Sequence, residues 1–175
     1  MTCVECLGKV ASQALDGVMF HTDLTDLFDF LSLKGFYKWQ KHQLDEELCN
    51  LNYIKHYAFK KHHMFLTVEP SDDVPEVIPA AWMNHSALEA TSADIATTLK
   101  ASLTTYWEYE QKVAKEYKAL AEEAEGTDKD MICELHKEVC EEITKIEQMI
   151  MKLQSTNYNS LHIQLLSNEL CEKFK

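Results

Sequence analysis

The stretch KDMICELHKEVCEEITKIEQMIMKL, residues 129–153, decides the fold. Ile132, Leu135, Val139, Glu142, Ile146, Met149 and Leu153 succeed one another at steps of three and four, the spacing that places side chains on one stripe of an α-helix. A stripe repeating near 3.5 residues packs best against another of its kind, with the helix axes nearly antiparallel. The spacing therefore predicts one member of a helical bundle.

The other members lie upstream. Leu99, Leu103, Tyr106, Glu110, Val113, Tyr117 and Leu120 repeat the pattern between about Leu88 and Glu123. Gln40, Leu44, Glu47, Leu51, Ile54 and Ala58 repeat it between Gly35 and about His62. A first helical segment, from about Val4 to Phe30, is less regular. Gly17 is expected to interrupt it, and Asp23, Asp26 and Asp29 step along one exposed side. A short fifth helix is expected after Asn157-Tyr158-Asn159, with Leu161, Leu165, Leu166 and Leu170 on one side.

The connections differ in length. Leu33-Lys34-Gly35 predicts a short turn, and Glu125-Gly126-Thr127-Asp128 another, with Gly126 as a C-terminal cap and Thr127 or Asp128 as the next N-cap. Thr67 to Asn84 holds all three prolines, Pro70, Pro75 and Pro79, and cannot be helix. A crossover at about residues 64 to 86 is long enough to traverse the bundle, so that helices two and three run the same way. The expectation is an all-α four-helix bundle with a short C-terminal fifth helix, forming one domain over residues 1–175.

Composition agrees. Four glycines and three prolines in 175 residues exclude a loop-rich sandwich or barrel, and 46% hydrophobic residues exclude disorder. Seventeen Lys and Arg against 29 Asp and Glu give a net charge of −12. That field repels phosphate, so neither nucleic acid nor an anionic membrane is an expected partner; it attracts cations. No signal-peptide pattern and no run of ~20 apolar residues is present. The six cysteines are too sparse for a disulfide scaffold, so free thiols in the cytoplasm are expected.

Glu47, Glu110 and Glu142 interrupt the apolar stripes, one on each of helices two, three and four. A carboxylate in a core is costly unless paired or bound to a cation. Three converging carboxylates suit iron, manganese or magnesium; a register off by one position would instead leave them at a solvated edge. Other constellations carry less. Cys3 and Cys6 with Cys133 and His136 form a zinc set on paper, whereas Cys133 and Cys140 on a helix serve more often as small core hydrophobes. Lys60-Lys61-His62-His63 complements the helix-two dipole, with a metal role for the two histidines as the alternative. Tyr106, Trp107 and Tyr109 read as aromatic packing, and His136 as a boundary residue.

Residues 30–47, from Phe30-Leu31-Ser32-Leu33-Lys34-Gly35 through His42-Gln43-Leu44-Asp45-Glu46-Glu47, resemble the end of the first helix and start of the second in ferritins. The likeness extends to Glu110-Gln111-Lys112-Val113, to Cys133, and to Cys140-Glu141-Glu142-Ile143-Thr144-Lys145-Ile146, and covers the chain from about residue 10 to its end. It implies the ferritin-like bundle, iron as the metal, and a homo-oligomeric cage of 24 subunits, open to mixing with other ferritin subunits.

Carried over residue by residue, the family's ferroxidase ligands fall on Glu47, Glu110 and Glu142, while the histidine of helix two falls on Asn50. In an ungapped count the first-helix glutamate falls on Ser12 and a nearby tyrosine on Met19, with Asp16 a substitute only in another register. Glu46 and Glu141 extend the acidic surroundings. The resemblance thus implies a light-chain-like storage subunit with weak or absent ferroxidase activity. The alternatives are a ferritin-fold scaffold without iron chemistry and a di-metal oxidase with a rearranged site.

Overall fold

Among the residues that the computed structural model describes, 3–71, 73–80, 82, 86 and 89–175, five helices account for most of the backbone. They are α1 (Cys3–Phe30), α2 (Lys34–His62), α3 (Ser92–Glu123), α4 (Gly126–Ser155) and α5 (Ser160–Lys173). No strand occurs among the described residues, and no helix there is long and apolar enough to cross a membrane. α1 packs along α2 and α3 along α4, and the two hairpins close on a common core that includes Phe20, Phe28, Phe36, Trp39 and Tyr106.

Every stripe residue of α3 and α4 is buried, including Glu110 and Glu142. On α2, Gln40, Ile54 and Ala58 are buried, whereas Leu44, Glu47 and Leu51 are only partly so. α1 departs from expectation in a useful way. Gly17 does not interrupt it; the helix is continuous for 28 residues. Its stripe is as strict as the others, running Leu7, Val10, Ala14, Gly17, His21, Leu24, Phe28 and Leu31, all buried. A glycine and a histidine hide that regularity because neither scores as apolar.

The turns also differ in detail. The α1–α2 connection is Leu31-Ser32-Leu33, with Ser32 at φ 58° and the Leu33 amide donating to the Phe28 carbonyl at 2.9 Å. Gly35 is therefore not a turn residue but lies inside α2. Between α3 and α4, Ala124 ends one helix and Glu125 precedes the next, so Gly126 (φ 56°) opens α4 instead of capping α3. Asp128 is no N-cap either. Its Oδ1 accepts from Tyr57 Oη at 2.6 Å and Lys61 Nζ at 3.1 Å and faces His62 Nε2 at 3.1 Å, tying the start of α4 to the end of α2.

The crossover is longer than residues 64–86, because α3 begins at Ser92 behind a capping box. The Thr91 amide donates to Asp94 Oδ2 at 2.9 Å, and the Asp94 amide to Thr91 Oγ1 at 3.2 Å. The expected start at Leu88 lies outside the described residues. Two half-buried bonds hold the crossover down: the Ser71 amide donates to Asp16 Oδ1 at 2.8 Å, and Trp82 Nε1 to Thr98 Oγ1 at 3.0 Å.

α5 folds back onto α2. It buries Ile163, Leu166, Ser167 and Leu170, while Leu161 and Leu165 stay exposed, which corrects the expected apolar side. The Gly35 amide donates to Ser167 Oγ at 2.9 Å, and a Cβ at position 35 would run into the Ser167 carbonyl. Glycine is needed there for close approach, not for a turn.

Candidate metal centre

The three stripe glutamates meet. Glu47, Glu110 and Glu142 line one cavity of about 260 Å³ between α2, α3 and α4, together with Glu46, Glu141 and Asn50. Glu138 adds a sixth carboxylate, against a single cation, Lys145. All six residues that the sequence marks as candidates thus surround the same space. Among the described residues, however, no three His, Cys, Asp or Glu side chains stand in a geometry that would hold a metal as they are.

Each glutamate is held differently. Glu142 is fully engaged: Trp39 Nε1 and Tyr106 Oη each donate to its Oε1 at 3.0 Å, and Lys145 Nζ to its Oε2 at 2.8 Å. Burial would lower the Lys145 ammonium, but its bond to Glu142 more than restores it. Glu110 faces His21 across the bundle, Oε1 to Nε2 at 3.6 Å, and His21 Nδ1 lies 2.8 Å from Gln40 Oε1. Burial works against the imidazolium, yet the bond and charge of Glu110, with Glu47 beyond it, raise the His21 pKa. Burial pushes Glu110 up in turn, with His21 pulling it back.

Glu47 is the free member. Among the described residues no hydrogen bond reaches its carboxyl, and its partly exposed surface belongs to the cavity wall. Desolvation first, opposed by His21 and reinforced by Glu110, Glu138 and Glu46, pushes its pKa up to about 8. A carboxyl facing a cavity ringed by acids can exchange its proton for a divalent cation, whose larger charge the surrounding carboxylates favour.

α1 meets this site with Gly17 and His21, not with Ser12. A Cβ at Gly17 would lie 2.9 Å from Glu47 Cδ, whereas Ser12 lines a separate groove with Glu5, Lys9, Thr67 and Glu116. Ser12 therefore does not face the acidic cavity, and Met19 is 43% exposed. Asp16 is spoken for by the Ser71 amide. Asn50 Nδ2 lies 3.5 Å from Glu138 Oε2. His21, Gly17, Lys145 and Glu138 were missed; the α1 stripe contained the signal for the first two.

By sequence, no family model and no curated protein matches the chain. By structure, the matches are long. The chain superposes on an open-pore ferritin from the archaeon Archaeoglobus fulgidus with a TM-score of 0.76 at 18% identity, covering 96% of this chain and 94% of that one. The chain has the ferritin fold. A humanized archaeal ferritin gives 0.76 at 19% identity over 96% and 94% of the two chains. An iron-soaked PmFTN variant gives 0.65 at 16% over 94% and 96%. Glu47, Glu110 and Glu142, the residues onto which the resemblance carries the family's ligands, line the acidic cavity.

The remaining constellations separate. Cys6 is buried, its Sγ donating to the Leu120 carbonyl at 3.8 Å, while Cys133 is exposed on α4. The four-residue zinc set does not form among the described residues, and the side chain of Cys3 lies outside them. Exposure of Cys133 also corrects its reading as a core hydrophobe; Cys140 is half-buried, as is the boundary residue His136. Lys61 and His62 serve Asp128. Tyr109 stacks on Phe20 with centroids 4.2 Å apart, as aromatic packing predicts.

Proposed function

We propose that this chain is an iron-storage subunit of the ferritin type, built into a homo-oligomeric cytoplasmic cage of 24 subunits, with weak or absent ferroxidase activity. The observation that carries this reading is the convergence of Glu47, Glu110 and Glu142, from three helices, on one cavity that Glu46, Glu138 and Glu141 also line. Ferrous iron is the cargo, a cation that inward glutamates of helical bundles hold. Glu47 loses its proton to solvent as its carboxylate takes up the cation, and Glu46, Glu138 and Glu141 raise the local cation concentration. Fast oxidation requires a second iron beside the first. The residues fit only one, because α1 offers Gly17 and a histidine already engaged with Glu110, and Asn50 is an amide.

A second reading has its own support. His21 and Lys145 already face Glu110 and Glu142 at 3.6 and 2.8 Å, so two of the three inward glutamates have partners without metal, as a pure scaffold would require. Anaerobic ferrous titration of the purified protein, with its assembly mass and oxygen consumption, separates the readings. Saturable binding that Glu47→Ala abolishes, in a cage-sized particle with slow oxygen uptake, supports storage. A metal-indifferent small oligomer supports the scaffold, and rapid uptake of oxygen with two irons per chain reveals a rearranged oxidase.

A further inference from the structure

Beside the carboxylates, α4 carries three sulfur and nitrogen donors that do not line the acidic cavity, Cys133, His136 and Cys140, spaced by three and four residues along one side of the helix. The structure pairs two of them. His136 Nε2 and Cys140 Sγ stand 3.6 Å apart, both half-buried, while Cys133, a turn further back, is exposed. Zinc holds a thiolate at about 2.3 Å and an imidazole nitrogen at about 2.0–2.1 Å. Donors at those lengths and 3.6 Å apart subtend about 110° at the metal, the angle of a tetrahedral centre.

We propose that His136 and Cys140 form a two-donor zinc site on α4, distinct from the carboxylate cavity, with water completing the tetrahedron. Soft sulfur and borderline nitrogen select zinc over the oxygen-seeking cations that suit Glu47. On binding, the Cys140 thiol loses its proton to solvent and the Sγ–Zn bond forms. His136 ligates through the lone pair of Nε2, so its ring proton resides on Nδ1. Cys133 and Cys140 are a full seven residues apart, about 10 Å along the helix axis, so Cys133 does not share the ion.

Cobalt(II) is the probe, because a tetrahedral cobalt thiolate has a sulfur-to-metal charge-transfer band that carboxylate-bound cobalt lacks. The full-length protein is titrated with Co²⁺ and then Zn²⁺, alongside Cys140→Ser, His136→Ala and Cys133→Ser, with helicity checked for each variant. The charge-transfer band is expected in the wild type and in Cys133→Ser, lost on adding Zn²⁺ and absent from Cys140→Ser. His136→Ala weakens cobalt binding at least tenfold. Zn²⁺ is also expected to slow alkylation of Cys140, located by peptide mass, in the wild type but not in His136→Ala. Absence of the band overturns the proposal. So does a band that follows Cys133 and not Cys140, or a His136→Ala variant that binds as tightly as the wild type.

Discussion

Gly17 on α1 makes room for Glu47 on α2: a single added carbon at position 17 would stand 2.9 Å from Glu47 Cδ and 3.0 Å from its Cγ. The glycine is thus part of the site although it has no side chain to offer. It leaves the carboxyl where it can face Glu110 and the cavity. The same bare backbone means that α1 contributes no oxygen ligand at this level, which is the main reason for reading the centre as a one-ion site.

Gly17→Val should therefore cost about 1–3 kcal/mol of stability, the usual range for overpacking a filled core. Truncating the partner relieves it. In urea denaturation, the double variant Gly17→Val/Glu47→Ala should be more stable than the two single changes predict by addition. A coupling energy above about 1 kcal/mol is expected for residues in contact; simple additivity would show that the two do not share space.

Glu47 also sets a pH dependence. Its pKa rises from 4.5 to about 8 on folding, so the folded chain holds a proton that the unfolded chain releases. The stability this provides is complete below pH 4.5 and is lost as pH rises toward 8. Glu47→Gln, which cannot ionise, should match the metal-free wild type near pH 4.5 and exceed it at pH 8 by an amount on the order of a few kcal/mol. Parallel stability curves for the two proteins across that window would refute the assignment.

Much of this was readable from residue spacing. The stripes of α3 and α4 locate Glu110 and Glu142 in the core without a structure, and Glu47 follows from α2. Two things were not readable. The register of α1 against α2 depends on the Leu31-Ser32-Leu33 turn, where each residue gained or lost slides α1 by 1.5 Å and rotates its face by about 100°; hence spacing alone did not show that Ser12 faces away from the cavity and that Gly17 and His21 face it. Partners also depend on rotamers. That Lys145 turns back to Glu142, and that His21 reaches Glu110 and not solvent, follows from packing around Trp39 and Tyr106, which spacing does not encode.

Glu110 and His21 should be inseparable. Removing a carboxylate from the core looks harmless in isolation, but Glu110→Ala leaves His21, buried to 1% exposure, without its counter-charge. Breaking a buried pair on one side costs about 3–5 kcal/mol, whereas replacing both partners with apolar residues is often neutral. Thermal unfolding of Glu110→Ala should show a large loss that His21→Leu/Glu110→Leu largely recovers. Equal losses in the two would mean that the pair contributes shape alone.

The docking of α5 rests on Gly35. Gly35→Ala drives a methyl into the Ser167 carbonyl, which is backbone and cannot step aside, so a loss of about 3 kcal/mol or undocking of α5 is expected. Undocking is visible as rapid proteolysis near residues 157–160. Truncation before α5 exposes the α2 surface that Ile163, Leu166 and Leu170 cover, and should lower subunit stability as well as disturb assembly.

The last prediction concerns oxidation of ferrous iron. Supplying the missing carboxylate from Ser12 cannot work, because Ser12 opens into the groove between Lys9, Thr67 and Glu116 and not into the acidic cavity. Ser12→Glu with Asn50→His should therefore oxidise iron no faster than the wild type. At position 17 the new side chain meets Glu47, whose carboxyl can swing into the adjoining space of about 260 Å³. Gly17→Glu with Asn50→His brings a carboxylate from α1 and an imidazole from α2 to one cavity, and should raise oxygen consumption several-fold despite some loss of stability. If the Ser12 pair accelerates oxidation and the Gly17 pair does not, α1 sits against α2 in a different register and Glu47 is not the entry ligand.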